Sequence, residues 1–379
     1  MKPTQNTFII EGLRLPIGKA NAIYKTTIPE VLASILLAKF YNKFDFLKNE
    51  TDEIILGNAL GTGGNMARYA AIDAGFDIKI PAYTVDAQCA SGLKAIILAD
   101  NQIKAGANCV LAGGMESNSL APKRQYHPND VRFINDNTYY TQASFAPPQF
   151  GYDESLILAA ENVANHFGIS KNMMMNWAAE SHQKANKASD NEYFTELILP
   201  FKDTIKDQSI KPKLTFETLQ KSQSEKLIDY TNTAHLHDGA AVHFLASEHF
   251  CNQHGIKPAF QILATATTAG PPNRAPMGVI WAVENLLQKT GLKPDEIDLY
   301  EVNESFAINV LAFAQHFQVK HDKINTFGGS LAFGHPFGAS GAINLLHLMG
   351  AMKAKNVKKG IVTIAAAGGL GMAVLLTAP

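Results

Sequence analysis

Along this chain short, nearly continuous apolar runs take turns with longer stretches in which apolar positions recur at helical spacing. Short apolar runs of strand length mark strands over Thr7–Ile10, Glu53–Leu56 and Cys109–Ala112, and a helical spacing covers Pro29–Tyr41 and Ala90–Ala105. The scheme returns in the last third. Strands are predicted over Ala259–Ala264, Leu299–Val302 and Gly360–Ile364, with helices over Val279–Lys289 and Gly341–Lys353. Such alternation predicts an α/β chain of mostly parallel sheets covered by helices. Reactive groups are then expected where strands end and helices begin.

Short words recur in the same order. Asp52-Glu53-Ile54-Ile55-Leu56, Ala90-Ser91-Gly92 and Val110-Leu111-Ala112-Gly113-Gly114 are matched by Asp295-Glu296-Ile297-Asp298-Leu299, Ala339-Ser340-Gly341 and Ile364-Ala365-Ala366-Ala367-Gly368-Gly369. Asp52 lies 38 positions before Ala90 and Asp295 lies 44 before Ala339, as two copies of one unit with different loops would require. The expected organisation is two related halves, 1–250 and 251–379, each with a similar sheet, the two packed together. Residues 117–226 have another texture, with Pro122, Pro128 and Pro147, a Lys-rich run from Lys202 to Lys226, and helical patterns over Leu156–Phe167 and Met173–Lys187. They are predicted to form an inserted loop subdomain over the site, after which the strand Asp238–Leu245 returns to the core.

Composition narrows the partner. With 379 residues and 46% hydrophobic content the chain can bury two ordinary cores, or one large duplicated one. The 33 basic and 34 acidic residues nearly cancel, so no overall field favours nucleic acid or an anionic membrane, and a small-molecule partner is expected. Cys89, Cys109 and Cys251 have no metal-ligand spacing, and their odd number suits a reducing compartment. With no signal-peptide pattern before Thr7 and no membrane-length apolar run, the cytoplasm is the expected location.

Three residues carry candidate chemistry. Cys89 follows a β-branched stretch and opens a helical pattern, so helix-end amides and the dipole are expected to favour its thiolate. Read alone, it is more simply a small buried hydrophobe. His335 lies in the glycine-rich Gly334-His335-Pro336-Phe337-Gly338-Ala339-Ser340-Gly341, ahead of the helix that matches the one after Cys89. A pseudo-twofold axis between the halves would let the two face each other as an activated Cys–His pair. Asn303 is most simply an N-cap, and its amide could also orient a water toward an oxyanion.

The words Cys89-Ala90-Ser91-Gly92-Leu93-Lys94, Ala112-Gly113-Gly114-Met115-Glu116-Ser117, Ala160-Glu161-Asn162-Val163-Ala164, Asp238-Gly239-Ala240-Ala241, Asn303-Glu304-Ser305-Phe306-Ala307 and the His335 loop resemble the thiolases, the acyl-CoA C-acyltransferases. The resemblance spans the chain. It implies a duplicated α-β-α-β-α layered fold with a loop domain in the first half, assembled as a homodimer or homotetramer. It also implies acyl-CoA and CoA as substrate and product, with no permanently bound cofactor and no metal. Cys89 would take the acyl group, His335 would activate it and help bind the thioester oxygen, and Asn303 would hold the water that completes that oxyanion site. The amides of Cys89 and Ala367 would form the other.

The chain departs from that family in places. Thiolases usually carry a second cysteine, in a Cys-x-Gly-Gly-Gly word, where this sequence has Ala365; a methyl group cannot carry the α-proton of a carbon–carbon step. Ser155-Leu156-Ile157 replaces a word holding a frequent CoA-contact histidine, and Ala264 falls where a serine near the pantetheine is common. Leu156, Ala264, Phe306 and Met277 are the positions expected to touch substrate. His235 and His237 are candidate substitute bases, and Met173-Met174-Met175 is either an acyl-chain contact or core filling. The leading expectation is a short-chain, acetyl-CoA type acyltransferase working through a Cys89 thioester. A decarboxylative condensing enzyme and a non-catalytic acyl-CoA-binding subunit are the alternatives.

Overall fold

The computed structural model describes residues 5–141, 145–147 and 156–379; Ser155 lies outside them. The first half contains β1 (Thr7–Arg14), β2 (Gly18–Lys19), α1 (Pro29–Lys43), α2 (Leu47–Glu50), β3 (Glu53–Gly57), α3 (Met66–Asp73), β4 (Ala82–Val85), α4 (Ser91–Ala105) and β5 (Cys109–Glu116). The insertion holds α5 (Leu156–Phe167), α6 (Lys171–Asp190) and α7 (Phe216–Gln220), followed by β6 (His237–Ser247) and α8 (Glu248–His254). The second half has β7 (Phe260–Ala269), α9 (Gly278–Thr290), β8 (Leu299–Val302), α10 (Ala307–Phe317), α11 (Ser330–Phe333), α12 (Phe337–Lys355), β9 (Lys359–Ala366) and β10 (Leu370–Thr377). Among the described residues no helix is long and apolar enough to cross a membrane.

The hydrogen-bonded strand order is β4-β3-β5-β6-β1-β7-β10-β9-β8, with β2 on β6. The repeat is visible in it. β3 and β5 run parallel around α4, and β8 and β9 run parallel around α12. The two half-sheets are not separate: Thr7, Phe8 and Ile9 of β1 pair with Ile262, Gln261 and Phe260 of β7, which joins them into one sheet. This continuous sheet still faces itself across α4 and α12, which lie against strands of both halves.

Strand alternation builds the layers. In β3, Ile55 enters the central core, while Ile54 and Leu56 enter the outer core under α1 and α3. In β9, Val362, Ile364 and Ala366 face the centre, while Ile361 and Ala365 join the outer core under α9 and α10. Both faces of the strands are therefore apolar, as a helix–sheet–helix–sheet–helix stack needs.

The repeat has a different register from that of the sequence words. Asp52 Oδ2 accepts from the amides of Asn108 and Cys109, at 2.6 and 2.9 Å, just before β3. Asp298, not Asp295, does this in the second half, accepting from the amides of Lys358 and Lys359 at 3.0 and 2.8 Å. α4 and α12 meet at the matching Ala-Ser-Gly words. A Cβ on Gly92 would lie 2.7 Å from the Gly338 carbonyl oxygen, and one on Gly341 would lie 2.6 Å from Leu93 N, so glycine is what permits the crossing.

Candidate active site

Four loops at the strand ends converge on one cavity of about 200 Å³. They are the β4–α4 loop with Cys89, the β8–α10 loop with Ser305 and Phe306, the α11–α12 loop with His335, and the end of β9 with Ala365, Ala366 and Ala367. Leu156, Leu236, Pro276 and Phe337 add apolar walls. Of the positions expected to touch substrate, Leu156 and Phe306 line the cavity. Ala264 is a β7 residue paired with Leu375, and Met277 packs against the outer core; neither lines it.

Cys89 lies two residues ahead of α4 rather than in its first turn. It follows Gln88, whose φ of 54° is a left-handed value that a non-glycine residue adopts only under local constraint. The constraint is a knot of bonds: Gln88 N donates to Asp86 Oδ1 at 2.8 Å, Ser91 Oγ donates to the Gln88 carbonyl at 2.5 Å, and Ala87 N donates to Ser91 Oγ at 2.8 Å. The expectation of a favoured thiolate fails. Burial, with the Glu116 carboxylate second, pushes the Cys89 thiol up to about 12, and the nearby amides of Cys89 and Ala367 offset only part of this. Those two amides are the pair expected from the sequence to polarise an acyl oxygen.

Glu116 belongs to the frame around the site. Its carboxylate accepts from Asn58 Nδ2 (2.9 Å) and from the amides of Ala59, Leu60 and Gly338 (3.0, 3.3 and 3.0 Å), joining the β3 loop to the start of α12. Burial raises it to about 7 against those bonds.

His335 is 3% exposed, and burial, with repulsion from His237 second, holds it down to about 3. Nδ1 lies 2.7 Å from Ser340 Oγ, and Nε2 lies 3.2 Å from Ser305 Oγ. Gly334, at φ 109°, lets the chain turn in against the His237 ring, where a Cβ would collide at 2.2 Å. His237 is not a cavity base. Its Nδ1 meets the His235 carbonyl at 2.8 Å, its Nε2 meets Ser209 Oγ, and burial lowers it to about 4. His235 instead accepts the His335 amide through its carbonyl, and its ring does not line the cavity.

Asn303 does not cap α10; Phe306 holds that position. The Asn303 side chain is 1% exposed, with Oδ1 accepting from Ser330 Oγ and Asn344 Nδ2, each at 2.9 Å, and Nδ2 donating to Ser305 Oγ at 2.9 Å. Ser305, Ser330, Ser340 and Asn344 are the site residues that sequence reasoning missed. Their signal is the spatial network, since serine at a helix entrance reads as an ordinary cap. The methionine run also resolves: Met174 is buried in the outer core, Met173 is 45% exposed, and none of the three lines the cavity.

The chain is similar to known proteins over its whole length. Residues 7–249 match the thiolase N-terminal domain and residues 256–378 the thiolase C-terminal domain. The chain is 36% identical over 375 residues, 97% of each chain, to a Staphylococcus epidermidis protein named "Putative acetyl-CoA C-acetyltransferase VraB". It is 32% identical over 383 residues, 98% of each chain, to "Putative acetyl-CoA C-acetyltransferase YhfS" of Bacillus subtilis. The crystal structure of the Bacillus anthracis acetyl-CoA acetyltransferase superposes with a TM-score of 0.92 over the whole of both chains, at 27% identity.

Proposed function

Because the chain belongs to the thiolase family, we propose that it is an acyl-CoA C-acyltransferase that carries a short acyl group as a thioester on Cys89. The carrying observation is that a thiol, a neutral imidazole and two backbone amides open onto one small, apolar cavity. On this reading His335 carries its proton on Nδ1, facing Ser340 Oγ at 2.7 Å, which leaves the Nε2 lone pair to receive the Cys89 proton as sulfur attacks the thioester carbon. The amides of Cys89 and Ala367 then hold the acyl oxygen, and the leaving CoA sulfur takes the proton from Nε2. On this reading residues 117–226 form the cover on the CoA side.

The acyl group is small and uncharged, since about 200 Å³ bounded by Leu156, Leu236, Phe306 and Phe337 suits acetyl or a short homologue. No Lys or Arg lines the cavity among the described residues, so a malonyl carboxylate would be desolvated without a partner. That disfavours the decarboxylative alternative. Ala365 presents a methyl group to the cavity, which makes the carbon–carbon step the slow one.

Intact-mass analysis after incubation with acetyl-CoA tests the reading. Wild type is expected to gain one acetyl group and Cys89→Ala none. Wild type that stays unmodified sinks it.

A further inference from the structure

A hydroxyl has one proton to give and two lone pairs to receive with, so its neighbours decide where the proton points. One lone pair of Ser305 Oγ is filled by Asn303 Nδ2 at 2.9 Å. The Asn303 amide is locked in that sense, because buried Ser330 and Asn344 both donate to its Oδ1. The other contact of Ser305 is His335 Nε2 at 3.2 Å. While Nε2 is bare, the Ser305 proton lies along that line, and it must swing off as the Cys89 proton arrives. Once Nε2 has taken the Cys89 proton it becomes a donor and fills the second lone pair. The Ser305 proton must then turn into the cavity, which both Ser305 and Cys89 line.

We propose that Ser305 is a catalytic residue whose hydroxyl donates to the acyl oxygen while Cys89 is being acylated. It thereby adds a donor to the amides of Cys89 and Ala367 that hold the same oxygen. The inference rests on the acyl-thioester reading of Cys89. As the Cys89 sulfur–carbon bond forms, the carbonyl electron pair moves to oxygen, and the Cys89 proton moves to Nε2. The same transfer that creates the oxyanion frees the Ser305 proton to meet it. When the tetrahedral species collapses, the bond to the leaving sulfur or oxygen breaks. Nε2 loses its proton to that group or to solvent, and Ser305 turns back.

The test compares wild type with Ser305→Ala using two reagents at Cys89. 4-Nitrophenyl acetate acylates the thiol through an oxyanion and needs no CoA site, whereas iodoacetamide alkylates it without one. The nitrophenolate burst rate is expected to fall about 100-fold in Ser305→Ala, while alkylation stays within about twofold of wild type. An equal fall with both reagents would show that Ser305 only positions His335, and no change in either would show that the hydroxyl is dispensable; each result overturns the proposal. If wild type reacts with the nitrophenyl ester but not with acetyl-CoA, the CoA reading fails while the Ser305 test stands.

Discussion

Cys89 and His335 rest as a neutral pair. Burial pushes the thiol up to about 12 and holds the imidazole down to about 3, so between these values neither carries charge. The thiol therefore ionises only in proportion to hydroxide, or as its proton passes to His335 during attack. In His335→Ala, where only the hydroxide route remains, alkylation of Cys89 by iodoacetamide is expected to rise about tenfold per pH unit from roughly pH 6 to pH 9, whereas wild type, with Nε2 free to take the proton, is expected to stay nearly flat. A wild-type rate that climbs as steeply as that of His335→Ala would show that His335 does not take the proton, and peptide-level mass spectrometry follows both. Ala365 gives a second expectation. Ala365→Cys places a proton-carrying thiol on the cavity wall, so acetoacetyl-CoA thiolysis is expected to rise by about 10² to 10⁴-fold while acetylation of Cys89 is unchanged. Unaltered thiolysis would mean that another group already moves the α-proton. The types and spacing of Cys89 and His335 were legible because glycine-rich words surround them. The charge state was not, since burial by distant segments outweighs the local helix end.

Two helix starts set the distance between the reacting groups. α4 begins two residues after Cys89 and α12 two residues after His335, and the helices touch through Gly92 and Gly341. Gly341→Ala would put a methyl carbon 2.6 Å from Leu93 N, backbone that cannot swing aside. The helices must separate. The expected cost is about 1–3 kcal/mol by denaturant midpoint, with Cys89 acylation slowed at least as much as folding is weakened. Acylation at the wild-type rate would show that the crossing does not position the pair. The repeated words exposed this duplication in the sequence, but with the second aspartate misplaced by three residues. Asp295 and Asp298 both precede β8, and only the bonds to Lys358 and Lys359 reveal which one matches Asp52. The joined sheet was likewise not legible, because the β1–β7 pairing links segments whose own patterns say only that each is a strand.

The insertion is tied into the molecule by buried charge at two places. Glu304, on the loop that carries Asn303 and Ser305, accepts from Trp177 Nε1 and Ser181 Oγ of α6, each at 2.8 Å, and from Asn325 Nδ2 and the Leu331 amide. At the other end, Arg14 of β1 makes a bidentate pair with Asp207 at 2.7 and 2.8 Å, with both side chains almost wholly buried. The insertion's texture was plain in the sequence, but its anchors were not: Arg14 and Asp207 are 193 residues apart, and nothing local marks either as buried. A buried ion pair contributes little net stability against a well-packed apolar pair, yet removing one partner strands the other charge in a low-dielectric interior. Asp207→Ala is therefore expected to cost about 3–5 kcal/mol, whereas Arg14→Met combined with Asp207→Leu recovers most of that loss. Urea unfolding of the three proteins checks it. If Asp207→Ala unfolds at the wild-type midpoint, the Arg14 charge is reaching solvent, and this end of the insertion is not docked through the pair.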